Sequence, residues 1–268
     1  MNLLPPQRSA AIVATLCLAT LAQTASAEML PNTFGNGGDV VLRRNNTVEN
    51  DGFLRIKTQS GDIETHGNDR IGLLKFDLSG LSEPVTNAAV RLELPRGQSS
   101  GHSGNTYDAG DTLYLYGIPD AAADEDFDEA TITFASSPYL TGSGSVTDPR
   151  PLTDTTPNGV NDDIAVLLDT YTFAATSDAG DLVDFQSSAL TAFLQADTNN
   201  IATFILSVSQ TDPFKTAVFV SDTGAEGTPL PPTLLTNANA PVPEPTAAVL
   251  FAMSLLGAQI VGGRQQRC

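Results

Sequence analysis

Apolar and polar residues alternate along most of the middle of the chain. In residues 73–78, 90–94 and 204–209, every second side chain is apolar. Because successive side chains of a β-strand point to opposite faces, this period of two gives each segment one apolar face. Clusters of Gly, Asn, Asp and Pro, which favour turns, separate the segments. The predicted strands are residues 39–43, 53–58, 73–78, 90–94, 112–118, 164–169, 204–209, 216–221 and 233–236.

Many short strands with one apolar face are typical of an all-β protein made of two packed sheets. Only Ser188–Gln195 has apolar residues at helical spacing, and we expect one short helix there. Residues 28–239 provide enough chain for one domain with a sizeable core. The pattern therefore predicts a single β-sandwich domain over 28–239.

The start of the chain has the features of a secretory signal peptide. Arg8 precedes an apolar run over residues 10–21, and Ala25 and Ala27 are the small residues that precede a signal-peptidase cut. We expect a signal-peptide helix within residues 1–27 and a mature chain that begins at residue 28.

The end of the chain carries a second apolar segment. Residues 246–261, as a helix, would span about 24 Å, short of the ~30 Å hydrocarbon core of a bilayer. Arg264 and Arg267 follow it and supply a basic end that tends to remain cytoplasmic. The sequence predicts a C-terminal hydrophobic helix that crosses a membrane only marginally.

The motif before that helix, Val242-Pro243-Glu244-Pro245, completes a recognisable order of Pro-Glu-Pro, apolar helix and basic tip. Residues 242–268 resemble the PEP-CTERM sorting signal of Gram-negative bacteria that make extracellular polysaccharide. The resemblance implies an exosortase as processing partner, transient anchoring in the inner membrane, and release to the cell surface or extracellular matrix. A permanent C-terminal anchor is the alternative interpretation.

The charge of the chain is strongly one-sided. The formal net charge is -18, and all 31 acidic residues lie between Glu28 and Glu244. Such a field repels phosphate backbones, so nucleic acid is not expected as a partner. Cys17 and Cys268 are the two cysteines, and both lie in the terminal signals. The domain between them therefore has neither a disulfide framework nor a thiolate metal site.

Several strand segments together carry a second resemblance. Residues 70–81 read RIGLLKFDLSGL, and residues 85–94 read VTNAAVRLEL. This pair resembles the core of DNRLRE-type domains, which include a family of carbohydrate-binding modules. Three later segments are similar to further motifs of that family: LYLYGI at 113–118, DFDEATITF at 126–134 and PPTLLT at 231–236. The resemblance implies a jelly-roll-like β-sandwich that binds polysaccharide without cleaving it.

The chain departs from that family at its aromatic positions. Phe127 and Phe134 stand where the family usually has Trp, and the chain contains no Trp. Sugar rings stack on exposed aromatic faces, so we take Tyr114 and Tyr116, which share one face of their strand, as a candidate platform. The alternative is that both tyrosines pack in the core with the two phenylalanines.

Cationic side chains offer a second way to bind a polysaccharide. Arg43, Arg55, Lys57 and Arg70 could meet the carboxylates of an acidic sugar polymer, because arginine matches carboxylate geometry with paired donors. Scattered surface charge is the alternative explanation of these residues.

An acidic run in the middle of the chain is a candidate metal site. Asp124, Asp126, Asp128 and Glu129 could offer the six to eight oxygens that calcium prefers. The run lacks the glycine and terminal glutamate of a full calcium loop, so solvated turns are the alternative. No motif requires any other cofactor.

Catalysis has little support in the sequence, which contains no G-x-S-x-G or H-E-x-x-H motif and no cysteine nucleophile in the central domain. We therefore expect a non-catalytic, exported surface or matrix protein that binds polysaccharide. A structural or adhesive matrix protein without a sugar ligand is the first alternative. A hydrolase or lyase that uses two of the many carboxylates is the second.

Overall fold

The computed structural model describes residues 27–49, 52–57, 69–95, 109–120, 122, 124–141, 158–173, 180–208, 216–222 and 230–237. They lie within one compact unit, Ala25–Ala240. The proposed signal peptide with Ala25, and the C-terminal signal with Val242, Pro243, Glu244, Pro245, Arg264 and Arg267, lie outside the described residues. Ala27 is the first residue that is described.

Twelve strands, one α-helix and one short 3-10 helix, Leu78–Gly80, make up the regular structure of the described residues. In chain order the strands and the α-helix are β1 (Glu28–Pro31), β2 (Gly38–Arg43), β3 (Val48–Glu49), β4 (Phe53–Lys57), β5 (Arg70–Asp77), β6 (Ala88–Glu93), β7 (Thr112–Ile118), β8 (Val166–Thr172), β9 (Leu182–Phe185), α1 (Ser188–Gln195), β10 (Ile201–Val208), β11 (Thr216–Val220) and β12 (Thr233–Thr236). The prediction of an all-β fold is confirmed. No helix in the described ranges is long and apolar enough to cross a membrane.

All nine predicted strands are present, with shifts of a few residues at some ends, and α1 has the predicted bounds. The pattern missed β1, β3 and β9. These strands have four, two and four residues.

The strands form two antiparallel sheets. The first has the order β1-β12-β6-β9, and the second follows the path β11-β4-β5-β10-β7-β8. In the second sheet β2 pairs with β5, and β3 pairs with β2. β4 joins β5 through a single residue pair, Lys57 with Arg70.

Close packing of β4 on β5 depends on Gly72. A Cβ atom at this position would lie 2.7 Å from Ile56 Cδ1 and 3.7 Å from Leu54 Cδ2, both of which belong to β4. The first distance is shorter than a van der Waals contact, so the absence of a side chain lets the two strands approach.

The second sheet is apolar on both faces. Leu74 and Phe76 of β5 belong to an inner apolar cluster with side chains of the first sheet, whereas Ile71 and Leu73 belong to a separate outer cluster. The outer cluster also contains Phe127, Ile132, Phe134, Tyr139, Leu140 and Val160, which lie in irregular segments.

These segments, residues 124–141 and 158–165, cover one face of the second sheet. The alternation of polar residues in the sequence predicts that this face is exposed to solvent. Lys75 illustrates the correction, since its exposed fraction is only 5%. Its ammonium group donates to Asp126 Oδ1 at 2.9 Å and to the Phe127 carbonyl at 2.7 Å, so both partners come from the covering segment.

Candidate functional site

Four cationic side chains lie together where β2 and β4 end and β5 begins. The strand register sets Arg43 opposite Arg70, and it also sets Lys57 opposite Arg70. Arg55 lies two residues before Lys57 and therefore projects from the same face of β4. We call these four residues the basic cluster.

Glu49, in the short strand β3, lies among the three arginines of the basic cluster. Arg70 donates from Nε to Glu49 Oε2 at 2.7 Å and from Nη2 to Oε1 at 2.9 Å. Arg43 also contacts Oε1, and Arg55 Nη1 lies 3.8 Å from Oε2. The paired bonds from Arg70 have the geometry of a bidentate guanidinium and carboxylate pair. This site therefore already holds one carboxylate in the way an arginine-lined site would hold a ligand's carboxylate.

Two acidic residues lie at the basic cluster. Glu49 contacts its three arginines, and Asp69, which lies 3.9 Å from the neighbouring Arg44, acts on Lys57 through its charge. Burial is the largest cause that lowers the pKa of Lys57; the charges of Arg70 and Arg43 lower it further, and the charge of Asp69 raises it. The two arginine charges disfavour the charged form of Lys57, whereas an anion bound beside it would favour that form. The structure thus brings together the four cations that the sequence left as isolated candidates.

The tyrosine platform is not formed, so that prediction is wrong for Tyr116. Its side chain is 1% exposed, and its hydroxyl accepts a hydrogen bond from Asn158 Nδ2 at 2.7 Å. Tyr114 is partly buried, packs against the outer cluster, and has its ring centroid 6.5 Å from that of Tyr116. The physical reason is the covering segment, whose Phe127 and Phe134 pack against the face that the tyrosines share.

The four carboxylates proposed as a calcium loop point to different partners. Asp124 is buried, which raises its pKa, and Asp126 accepts from Lys75 and Asn36. Asp128 accepts from the Ala130 N–H at 2.9 Å and so closes a turn. Asp126, Asp128 and Glu129 nevertheless line one cavity, described next. Among the described residues no three of these four have carboxylate oxygens within 4.8 Å of one another, and a calcium site at this run stays a prediction.

An acidic cavity of about 850 Å³ lies beside that run. Its lining includes Asp126, Asp128, Glu129 and Asp222, together with one cation, Lys75. Burial raises the pKa of Glu129, and the charge of Asp222 raises it further. This cavity disfavours anionic ligands, and a carboxyl group with a raised pKa is the kind of group that general acid catalysis uses.

A different carboxylate group forms where two turns meet. Asp120, Glu125 and Asp197 have carboxylate oxygens within 4.8 Å of one another. Asp120 Oδ2 accepts from the Thr198 N–H and hydroxyl at 2.7 Å each, and Glu125 Oε2 accepts from Asn199 at 2.7 Å. Oxygen atoms at this spacing could contact a hard cation such as calcium. Sequence analysis missed Asp120 and Asp197, which lie 77 residues apart and carry no shared motif.

The described residues form an antiparallel β-protein of two sheets. Four cations lie together in it, although the chain as a whole is strongly acidic. Comparison of the chain with protein-family models and with curated protein sequences gives no match.

Proposed function

We propose that this protein is an exported, non-catalytic β-sandwich of the jelly-roll, carbohydrate-module type, and that its basic cluster binds an acidic polysaccharide. The observation that carries the proposal is the convergence of Arg43, Arg55, Lys57 and Arg70 at one place, with the Glu49 carboxylate held among the arginines. The resemblance of the chain ends to export signals, and of its strands to a polysaccharide-binding family, supports the choice of ligand.

The chemistry of the basic cluster suits uronate groups. Guanidinium groups donate two parallel hydrogen bonds to a planar carboxylate, as Arg70 does to Glu49. In a molecule of net charge -18, a place where four cations lie together also reduces the repulsion that a polyanion meets as it approaches.

The test uses affinity electrophoresis of the full-length protein in native gels that contain polygalacturonate, alginate or neutral dextran. We expect the acidic polymers to retard the wild type at low ionic strength. The double variant Arg55→Gln, Lys57→Gln should lose that retardation because it removes two cations and leaves the main bonds of Glu49 in place.

Arg91→Gln is the matched control. Arg91 makes a bidentate pair with Asp184 at 2.7 Å in the first sheet, so this variant also loses one cation and one ion pair. We expect it to retain the retardation. Failure of both acidic polymers to retard the wild type, or equal retardation of the double variant, contradicts the proposal.

The alternatives have distinct readouts. A structural matrix protein without a sugar ligand would associate with itself as concentration rises, in sedimentation velocity, and no polymer would retard it. A hydrolase or lyase would release oligosaccharide products, and Glu129→Gln in the acidic cavity would abolish the release. Neither result is expected.

Export and processing have a separate test. The proposed PEP-CTERM signal predicts that the mature protein found outside the cell lacks the residues after the Val242 to Pro245 region. Mass spectrometry of the exported protein measures both ends. Recovery of a chain that retains residues 246–268 contradicts proteolytic removal and favours a permanent anchor.

A further inference from the structure

A cavity of about 610 Å³ opens between the start of β6, the end of β9 and α1. We call it the α1 cavity. Its volume falls within the range of about 300–1,000 Å³ that is common for small-ligand sites. It shares no lining residue with the acidic cavity or the basic cluster.

The lining of the α1 cavity carries no charged side chain. All nine lining residues are uncharged; seven carry a hydroxyl or amide group, and the other two are alanines. A site without charge has no strong preference for an ion, whereas hydroxyl and amide groups can both donate to and accept from a polyhydroxylated ligand.

The wall formed by α1 is held in place by its own hydrogen bonds. The Ser187 hydroxyl accepts from the Leu190 N–H at 3.0 Å, which caps the helix, and it donates to the Leu168 carbonyl at 2.6 Å. Gln195 donates from Nε2 to the Val85 carbonyl at 2.8 Å. Ser188, Thr191 and Gln195 lie on one face of the helix because they are three and four residues apart.

Three polar side chains of the lining remain available. Asn87, Gln186 and Ser188 make no side-chain hydrogen bond to any part of the chain that the structure describes. They come from three places, the turn before β6, the link between β9 and α1, and the first turn of α1. Two amides and one hydroxyl therefore face the same cavity from different sides, with a rigid wall behind them.

We infer that the α1 cavity is a second saccharide site, which takes a neutral sugar residue. Asn87, Gln186 and Ser188 bond the sugar hydroxyls, and the small side chain of Ala192 leaves room for the ring. The cavity contributes neither an aromatic platform nor a charge, so binding is weak, in the millimolar range. The inference shares with the proposed function the idea of a saccharide ligand, but it concerns different residues and a different sugar chemistry.

The experiment is saturation-transfer difference NMR on the full-length protein with neutral tetrasaccharides of glucose, galactose and mannose as separate probes. Ala192→Leu fills the cavity with a residue that helices tolerate well. Ala189→Leu makes the same change on the same helix outside the cavity, and since both alanines are exposed the two variants differ only in whether they line the cavity. A second variant, Asn87→Ala with Gln186→Ala, removes the two amides without filling the space.

We expect at least one probe to give a signal with the wild type. That signal should fall at least fivefold in Ala192→Leu and in the double variant, and should persist in Ala189→Leu. The absence of a signal from all three probes, or equal signals from the two leucine variants, overturns the inference. Retardation by polygalacturonate, measured on the same variants, should be unchanged. Retardation should be lost only in the variants of the basic cluster, and the NMR signal only in the variants of the α1 cavity. The two measurements therefore show which of the two proposed sites fails.

Discussion

At the scale of single residues, Asp39 connects three parts of the fold. It lies in β2, and its carboxylate accepts from Ser221 Oγ, Asn32 Nδ2 and the Asp222 N–H, each at 2.7 Å. Burial raises the pKa of Asp39 to about 7, and the charge of Asp222 also raises it. In the sequence this residue is only the polar first position of a predicted strand, and nothing near it indicates a buried carboxyl group.

Asp39→Asn should reduce the dependence of stability on pH. In the unfolded chain the carboxyl group titrates near 3.8, whereas in the folded protein it titrates near 7. Between these values the folded state binds more protons than the unfolded state, so the free energy of unfolding falls as pH rises from about 4 to about 7. Asparagine can keep the geometry, with its oxygen bonded to Asn32 and Asp222 and its amide donating to Ser221.

The measurement is urea unfolding of both proteins at pH 4, 5, 6, 7 and 8. The decline between pH 4 and pH 7 should be smaller in Asp39→Asn than in the wild type. Asp163→Asn, which removes an exposed carboxyl group, is the control and should leave the decline unchanged. Parallel curves for wild type and Asp39→Asn would show that Asp39 does not titrate in this range.

At the scale of elements, the irregular segment 124–141 acts as a third layer. It places Phe127 and Phe134 in the outer cluster, and the Arg44 guanidinium lies 4.7 Å from the centroid of the Phe134 ring. Both phenylalanines are buried, so they pack in the core and offer no exposed face on which a sugar ring could stack.

Phe134→Ala should destabilise the protein strongly. The side chain is fully buried, and a Phe to Ala change in a core typically costs about 3–5 kcal/mol. Phe34→Ala is the matched control, because Phe34 is 41% exposed and should cost at most about 1 kcal/mol. Chemical denaturation of both variants provides the comparison. Equal losses would mean that the covering segment contributes little to stability.

The local pattern of apolar and polar residues predicted the helix and most of the strands. Residues 112–118, 188–195 and 233–236 were predicted with the observed bounds. The covering layer was not predicted, because its apolar residues follow no helical or strand period. The burial of both faces of β5 was not predicted either. Lys75 is polar, so the pattern places its side chain on a solvent-facing side, whereas the covering layer buries it.

At the scale of the whole molecule, the distribution of charge matters more than its total. A net charge of -18 predicts repulsion of anions over most of the surface. The basic cluster is a local exception, and its field extends only about 10 Å at an ionic strength of 0.1 M. The two proposed saccharide sites should therefore respond differently to salt.

Raising the sodium chloride concentration should weaken binding of the acidic polymer and leave binding of the neutral sugar unchanged. We expect retardation by polygalacturonate to decrease steadily between low salt and about 0.5 M, because salt screens the attraction between the cations of the basic cluster and the carboxylates of the polymer. Difference NMR with the neutral probe that binds should show the same signal over this range. Retardation that does not depend on salt would argue against the basic cluster as the polymer site.

The sequence by itself determined the all-β class, most strand positions, the single helix and the acidic character of the domain. Each of these depends on residue types and on spacing within a short window. The tertiary structure decided which side chains meet. Arg43, Lys57 and Arg70 lie on three strands and converge only through their pairing register, and Tyr116 is buried only because a distant segment covers its face. Contacts of this kind depend on long-range strand pairing and packing, which local patterns do not encode.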